Sequence, residues 1–503
     1  MSIHFDDAVS QLSPAYSFRI NRLLNRRWPE EGHGGSLQWV FEEITTGFSH
    51  QSALLSQKRT ISVLTYVLSD GLGDWYHGMT AVNIIAQALP HWNVQFVVQL
   101  SIKHKNQESL SFPNGCETFL FYDDRKEPVS PAFYRALQHL RESDVILETP
   151  VPFFGDLTGQ KSLLVSNSKG LMKKVILMEE YDDMSPLGKS MGVGLYSHGI
   201  ALSPFTGERG FEYLENKGLK RFLLDGAKKN SHHFCYGYLP KQEKEKTDER
   251  HMLAFITATL ALFEESGKEW IDLVGPFDSE EIQINSYLLE FLKTKDVQEL
   301  QCINKDPQRP GWITTSIPFE KEGRKIRLIN PFPISHHDAR LLTALSENVV
   351  GCTGDMSLSE ALSEGLLPFY QIRSHKESFF RSLHDLAAET FSGDSNHLVA
   401  YLSALINWNP LAPGDDYLHA GAKLGRLLRH PETQAQMRTF SALIKTHYPY
   451  QEILIGLIAG KLFQLSSYSA IKQIYEQFSS CEIDEKTTVQ ALKTAMGLSR
   501  NPS

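Results

Sequence analysis

Two doubly wound α/β domains in tandem, with helical segments at both ends, are the fold this sequence predicts. Three observations carry that expectation. The chain has 503 residues, too many for one hydrophobic core. Between residues 61 and 390, short runs of valine, isoleucine and leucine alternate with stretches of helical period, the signature of parallel strands covered on both faces. The alternation occurs twice, over 61–230 and over 231–394. A hydrophobic content of 41% with 11% aromatics suits packed cores rather than disorder.

The elements follow in order. Residues 1–60 form a polar extension with helical patches at Tyr16–Leu24 and Ser36–Ile44, best read as a cap on the first domain. Strands are expected at 61–68, 92–100, 117–122, 144–148, 162–166 and 174–180, with helices at 75–89 and 130–142. Residues 183–230 hold the stretch MGVGLYSHGIALSPFTGERGF, with five glycines, and take no secure assignment. The second domain opens with a strand at 234–239, then a helix at 249–266, a strand at 270–276 and a helix at 279–293. Strands at 298–302 and 326–330 and a helix at 336–345 follow. A strand at 348–354 with its exit loop, a helix at 357–366, a strand at 367–372 and a helix at 375–389 complete it. Residues 241–250 are a solvated loop and helix start, and 395–503 read as helical throughout.

Composition excludes several classes. A formal charge of −9 provides no basic field for nucleic acid. Five cysteines without CxxC spacing fit a reducing, cytoplasmic setting better than a disulfide framework. The first residues lack an apolar signal core, and no apolar run approaches the ~20 residues of a transmembrane helix.

Doubly wound sheets bind ligands beyond the carboxyl ends of their strands, and two such domains are expected to face each other across a cleft. Two loops would lie there. The first follows ISVLTYVL and reads SDGLGDWYHG. Gly71 and Gly73 permit close backbone approach or positive φ. Asp74, at the amino end of the next helix, can serve as a general base; an aspartate there can equally be a helix cap. Asp70 can likewise cap the helix, or instead hold a loop amide. The second loop is Thr353-Gly354-Asp355-Met356-Ser357-Leu358-Ser359-Glu360. Its helix amino end favours a phosphate, with donors from Thr353, Ser357 and Ser359. Glu360, or Asp355, can accept from ribose or sugar hydroxyls. The alternative is a capping box with Ser357 as N-cap and Glu360 three residues on.

Rival readings fail on particular residues. A nicotinamide dehydrogenase needs a third glycine where Tyr76 stands, and an acid at the end of the second strand where the sequence reads VVQLS. Gly188-Lys-Ser-Met-Gly192 matches a hydrolase elbow but does not follow a strand directly. A P-loop needs glycine at 183, where Asp183 stands. Asp123-Asp124 and Asp182-Asp183 are adjacent acids without the spacing of metal-dependent transferases, and His232-His233 and His336-His337 lack ligand spacing and suit loops or surface. No metal and no cofactor are expected.

Gly73-Asp74-Trp75-Tyr76-His77 resembles the glycine-aspartate-x-x-histidine loop of heptosyltransferases. Asp70-Gly71-Leu72-Gly73-Asp74 resembles the aspartate-x-x-glycine-aspartate loop of the rhamnosyltransferase that modifies an arginine of elongation factor P. Phe234-Cys235-Tyr236 is similar to the strand opening that enzyme's second domain, and Thr353–Glu360 to the donor loop of GT-B glycosyltransferases generally. The resemblance covers short motifs in order over 61–390. It implies two Rossmann-like domains, the first on the acceptor side and the second holding a nucleotide-sugar. It further implies metal-independent inverting transfer to a protein or glycan acceptor, with Asp74 as base and His77 in the acceptor loop. The loop departs from the heptosyltransferase pattern in running on through Gly78-Met79-Thr80. The extensions at 1–60 and 395–503 have no counterpart. On that ground alone the chain is read as a divergent bacterial branch, a candidate effector delivered to glycosylate host protein. The competing expectation is a two-domain sugar- or protein-binding module of the same fold without chemistry.

Overall fold

The computed structural model describes residues 10–25, 33–50, 53–67, 73–101, 113, 116–123, 131–150, 170–181, 189–227, 232–240, 247–306, 311–373, 376–391, 396–408, 416–496 and 498. The chain divides into two compact units, 1–201 with 444–503, and 202–443.

The first unit is built on a six-stranded sheet: β1 Thr60–Val67, β2 Asn93–Ser101, β3 Glu117–Asp123, β4 Val145–Glu148, β5 Val175–Tyr181 and β6 Lys189–Met191. The order is β3-β2-β1-β4-β5-β6, all parallel. Every residue of β1 after Thr60 is buried, as a central strand covered on both faces must be. Its side chains alternate between two helices. Leu64 and Tyr66 join Val97 and the Ala136, Leu137 and Leu140 face of the helix Pro131–Glu142. Thr65 and Phe96 point the other way, against the helix Gly73–Ala88. A Cβ on Gly78 would come within 2.3 Å of Thr65 Oγ1 and 2.9 Å of Phe96, so this glycine lets the helix sit close to the sheet.

The helices Pro14–Asn25 and His33–Ser49 do form, and their apolar faces are satisfied by the chain's far end. Tyr16, Ile20, Val40, Phe41 and Ile44 pack with Phe463, Phe478, Val489 and Leu492. Those last residues come from the helices Tyr450–Ser479 and Glu485–Ala495. Among the described residues one helix, Tyr450–Ser479, is long and apolar enough to cross a membrane, and 56% of its apolar window is buried inside the protein. It breaks from helical geometry at Ser467 (φ −136°, ψ 29°).

The second unit carries β7 His232–Tyr236, β8 Trp270–Val274, β9 Val297–Lys305, β10 Trp312–Pro318 and β11 Arg324–Asn330. The order is β10-β9-β11-β8-β7, parallel except for the antiparallel edge strand β10. β12 Val349–Cys352 and β13 Leu367–Tyr370 pair in parallel. A bridge between Gly237 and Gly351, with Tyr238 N–H donating to Gly351 O at 2.8 Å, attaches them beside β7. Glycines make that junction possible. A Cβ on Gly351 would lie 2.9 Å from Gly237 Cα, and one on Gly275 2.7 Å from Gly237 O.

Several expectations are corrected. The division falls at 201 rather than 230, because residues 203–209 bond to the helix Asp355–Glu364 of the second unit. The helical tail is shared: Asp416–Arg429 packs on Thr247–Leu262, where Gly421 and Gly425 let the helices approach, while everything from Ile444 belongs to the first unit. The expected helix 279–293 is two, Ser279–Ile284 and Ser286–Thr294, because Asn285 leaves helical geometry and caps the second by accepting from Leu288 N–H at 2.9 Å. His232 and His233 are buried in β7 rather than in a loop. The expected strand 162–166 lies outside the described residues.

Candidate functional site

In an open parallel sheet, a crevice forms where the strand order reverses direction. Each unit has one such point, between β1 and β4 in the first and between β7 and β12 in the second.

In the second unit, β12 ends at Cys352, and Gly354 then takes φ 78° and ψ 167° at the N-cap of the helix Asp355–Glu364. A side chain would strain that backbone, and nothing lies within 4 Å of the position its Cβ would take. The helix therefore starts two residues earlier than the sequence suggests, and the capping box is not formed. Ser357 stands in the first turn, and its hydroxyl donates to Thr353 O at 2.6 Å and Gly354 O at 3.2 Å. Ser359 is buried. Of the three expected hydroxyl donors, Thr353 is the one at the loop that keeps its hydroxyl unspent among the described residues.

Charge around this helix comes from distant segments. Lys376, just beyond the exit of β13, lies buried with its Nζ 2.9 Å from Asp355 Oδ2. A lysine thus stands beside the helix amino end, where sequence reading had placed none. Arg340, from the helix His336–Leu345, reaches Glu360 at 3.7 Å and donates to Ser203 O and, at 3.2 Å, to Ser203 Oγ. Burial pushes the Glu360 carboxyl up to about 7, against the charge of Arg340 and with help from Glu364. Near neutrality Glu360 can therefore accept or donate a hydrogen bond to a hydroxyl. Glu364 accepts from Phe205 N–H at 2.6 Å and Arg209 at 2.7 Å, and Ser363 Oγ from Ser203 N–H at 2.9 Å. The glycine-rich stretch that resisted assignment is thus strapped along this helix. At the exits of β7 and β11, Tyr238, 38% exposed, and Phe332 bring their rings within 5.8 Å at 31°.

In the first unit, the helix Gly73–Ala88 begins at an exposed glycine, so Asp74 is inside its first turn rather than its N-cap. An acid there is favoured by the helix dipole. Asp74 is half-buried, Trp75 is buried against Phe96 with ring centroids 5.3 Å apart, and His77 is buried one turn on from Asp74. Asp70 and Gly71 lie outside the described residues. Sequence reading passed over Glu148, which ends β4 beside Leu64 of β1 and is buried at this same crevice. Its signal was a strand, DVILE, that ends on an acid.

Other candidates fall away from the crevices. Arg324 caps a helix carboxyl end, donating to Phe263 O, Glu264 O and Ser266 O. Arg327 is paired to buried Asp272 at 2.7 and 2.5 Å. Neither stands at a strand's carboxyl end, so neither is placed to neutralise a diphosphate in the crevice. Ser190 is buried inside β6, not on a strand-to-helix turn, which removes the hydrolase elbow. Among the described residues no three His, Cys, Asp or Glu side chains are grouped to hold a metal ion.

No protein-family model matches the chain, and no curated protein matches its sequence. Solved structures do match. A putative UDP-N-acetylglucosamine 2-epimerase from Listeria monocytogenes aligns at 10% identity and TM-score 0.39, over 82% of this chain and 96% of the other. A glycosyl transferase family 9 protein from Veillonella parvula aligns at 10% identity and TM-score 0.27, over 63% and 83%. An E. coli trehalose-6-phosphate protein bound with UDP-2-fluoro glucose aligns at 10% identity and TM-score 0.36, over 80% and 99%. These likenesses concern fold and transfer no residue roles.

Proposed function

We propose that the protein is a glycosyltransferase that takes a sugar from a nucleotide-sugar donor, with inversion and without a metal, onto a protein or glycan acceptor. The observation that supports this best is the second unit's crevice. There a helix amino end opens under Gly354 with a buried lysine beside it, a combination suited to a diphosphate. In this reading Lys376, the amides of the first turn and Thr353 hold the diphosphate and stabilise its charge as it leaves. Glu360 and Asp355 serve hydroxyls of the ribose or sugar, and the Tyr238–Phe332 pair offers a stacking surface for the base.

Asp74 is assigned the proton of the acceptor nucleophile, which bonds to the anomeric carbon as the bond to the diphosphate oxygen breaks. Gly73 and His77 shape that acceptor loop, together with Asp70 and Gly71. The second reading, a nucleotide-sugar-binding module without chemistry, keeps the donor crevice and needs no base. Thermal-shift screening of nucleotide-sugars identifies the donor, since a ligand of the folded state raises Tm. Donor hydrolysis and transfer are then followed in wild type and Asp74→Asn. Turnover that disappears in the variant supports the transferase. Binding with no turnover on any acceptor supports the module.

A further inference from the structure

At the amino-terminal end of the second sheet, away from its crevice, three side chains line up. His233, near the start of β7, has Nδ1 2.7 Å from Glu347 Oε2 and Nε2 2.5 Å from Ser266 Oγ. Glu347 lies just before β12, and Ser266 in the turn leading to β8. The imidazole is buried and held flat against Phe263, with centroids 3.7 Å apart at 8°. Glu347 is itself held by Lys268, at 3.3 and 3.5 Å to its two oxygens. The turn carrying Ser266 is pinned: Ser266 N–H donates to Phe263 O at 2.9 Å, and Arg324 donates to Ser266 O at 2.5 Å. Ser266 is half-buried, and Gly267 beside it has open space where a side chain would stand.

A hydroxyl on an imidazole whose other nitrogen meets a carboxylate is the arrangement that activates a serine. We propose that Ser266, His233 and Glu347 form a second chemical site, in which Ser266 is a nucleophile toward small activated esters. Ser266 Oγ bonds to the acyl carbon and passes its proton to His233 Nε2. The carbon–oxygen bond to the alcohol breaks, and the alcohol takes that proton. Water then repeats the sequence and releases the carboxylic acid. Glu347 orients the ring and stabilises its cation. Burial works to raise the Glu347 carboxyl, but the hydrogen bond and charge of His233 with the charge of Lys268 outweigh it and hold it below its ordinary value. The backbone N–H of Lys268 donates to Ser266 Oγ at 3.4 Å, which puts one amide donor beside the atom that would attack. This proposal does not depend on sugar transfer.

The test uses the full chain, a fluorophosphonate probe and p-nitrophenyl acetate. With the probe, Oγ bonds to phosphorus and fluoride leaves. One adduct is expected, on Ser266 by mass spectrometry, formed faster as pH rises, as base-assisted attack requires. It is absent in Ser266→Ala, and both labelling and ester hydrolysis slow by about 100-fold or more in His233→Gln. Should that variant fail to fold, Glu347→Gln carries the same comparison, with slowing of about tenfold or more expected. No adduct on Ser266 in the wild type overturns the proposal, as does labelling indifferent to pH and to the partner variants. Either result would make the three residues a clip between loops.

Discussion

The two crevices sit at equivalent points of two similar sheets, and both helices open on glycine and acid, but only the second brings cations to its acids. In the first, the helix after the central strand opens on glycine and acid, Gly73 and Asp74, with Glu148 ending the neighbouring strand. In the second, the corresponding helix opens on Gly354, and cations arrive from elsewhere: Lys376 to Asp355 and Arg340 to Glu360. Topology fixes where a ligand can lie, and the side chains fix its sign. A crevice furnished with acids alone suits a group that must lose a proton, and one where a lysine stands at the helix amino end suits a phosphate.

The largest effect that would break this contrast is on chemistry. Asp74→Asn is expected to lower transfer by roughly 10³-fold, near the middle of the range for a lost general base, with nucleotide affinity within a few-fold of wild type. Affinity falling with turnover would instead make Asp74 a support of the helix start. Next in size, Lys376→Met should weaken nucleotide binding about tenfold to a hundredfold, the worth of a charge-assisted bond. It should also destabilise the fold by about 3–5 kcal/mol by stranding buried Asp355. The double variant Lys376→Met/Asp355→Asn separates the two effects: Tm recovers and affinity does not. Recovery of both would remove the lysine from the donor site.

A smaller effect sharpens the account of Glu360. Because its folded-state pKa is raised, to about 7, the folded protein binds the proton more tightly than the unfolded chain. Its contribution to stability is therefore favourable at low pH and is lost as pH rises from about 4 through 7. Glu360→Gln should match wild type in urea unfolding near pH 4 and exceed it above pH 7, by on the order of 3 kcal/mol. Equal pH slopes in the two proteins would show that the carboxyl is not held up by burial. Glu360→Ala should weaken donor binding more than it slows transfer, and unchanged affinity would remove that role. The smallest effect expected is at Ser357. Its hydroxyl is spent on Thr353 O and Gly354 O, so Ser357→Ala should change nucleotide affinity by less than about twofold. A large loss by calorimetry would return this serine to the donor site.

What could be read beforehand follows from where information sits along the chain. Strands buried on both faces announce themselves as apolar runs, so β1, β2, β5 and β12 were legible to within about a residue of their starts. β10 was not, because Trp312–Pro318 is an edge strand, half exposed and rich in threonine and serine. The loops at 73–77 and 353–360 were legible because glycine and acid between a strand and a helix have few other uses. Lys376 and Arg340 were not, since each reaches its crevice from a segment remote in sequence. The same holds for Ser266, His233 and Glu347, spread over 114 positions in a pattern that only the folded sheet brings to one point. The histidine pair 232–233 misled because two adjacent polar side chains look like surface until their carboxylate partners, Asp272 and Glu347, are known.

Both ends of the described chain lie in the first unit, and the whole second unit is inserted between them. During synthesis the ribosome therefore completes residues 202–443 before the first unit possesses the long helix Tyr450–Ser479 that its core requires. The unit begun first is finished last. Until then Tyr16, Val40, Phe41 and Ile44 have no Phe463 or Phe478 to bury against. The nascent amino-terminal helices thus keep an apolar face without its cover until the last helices emerge.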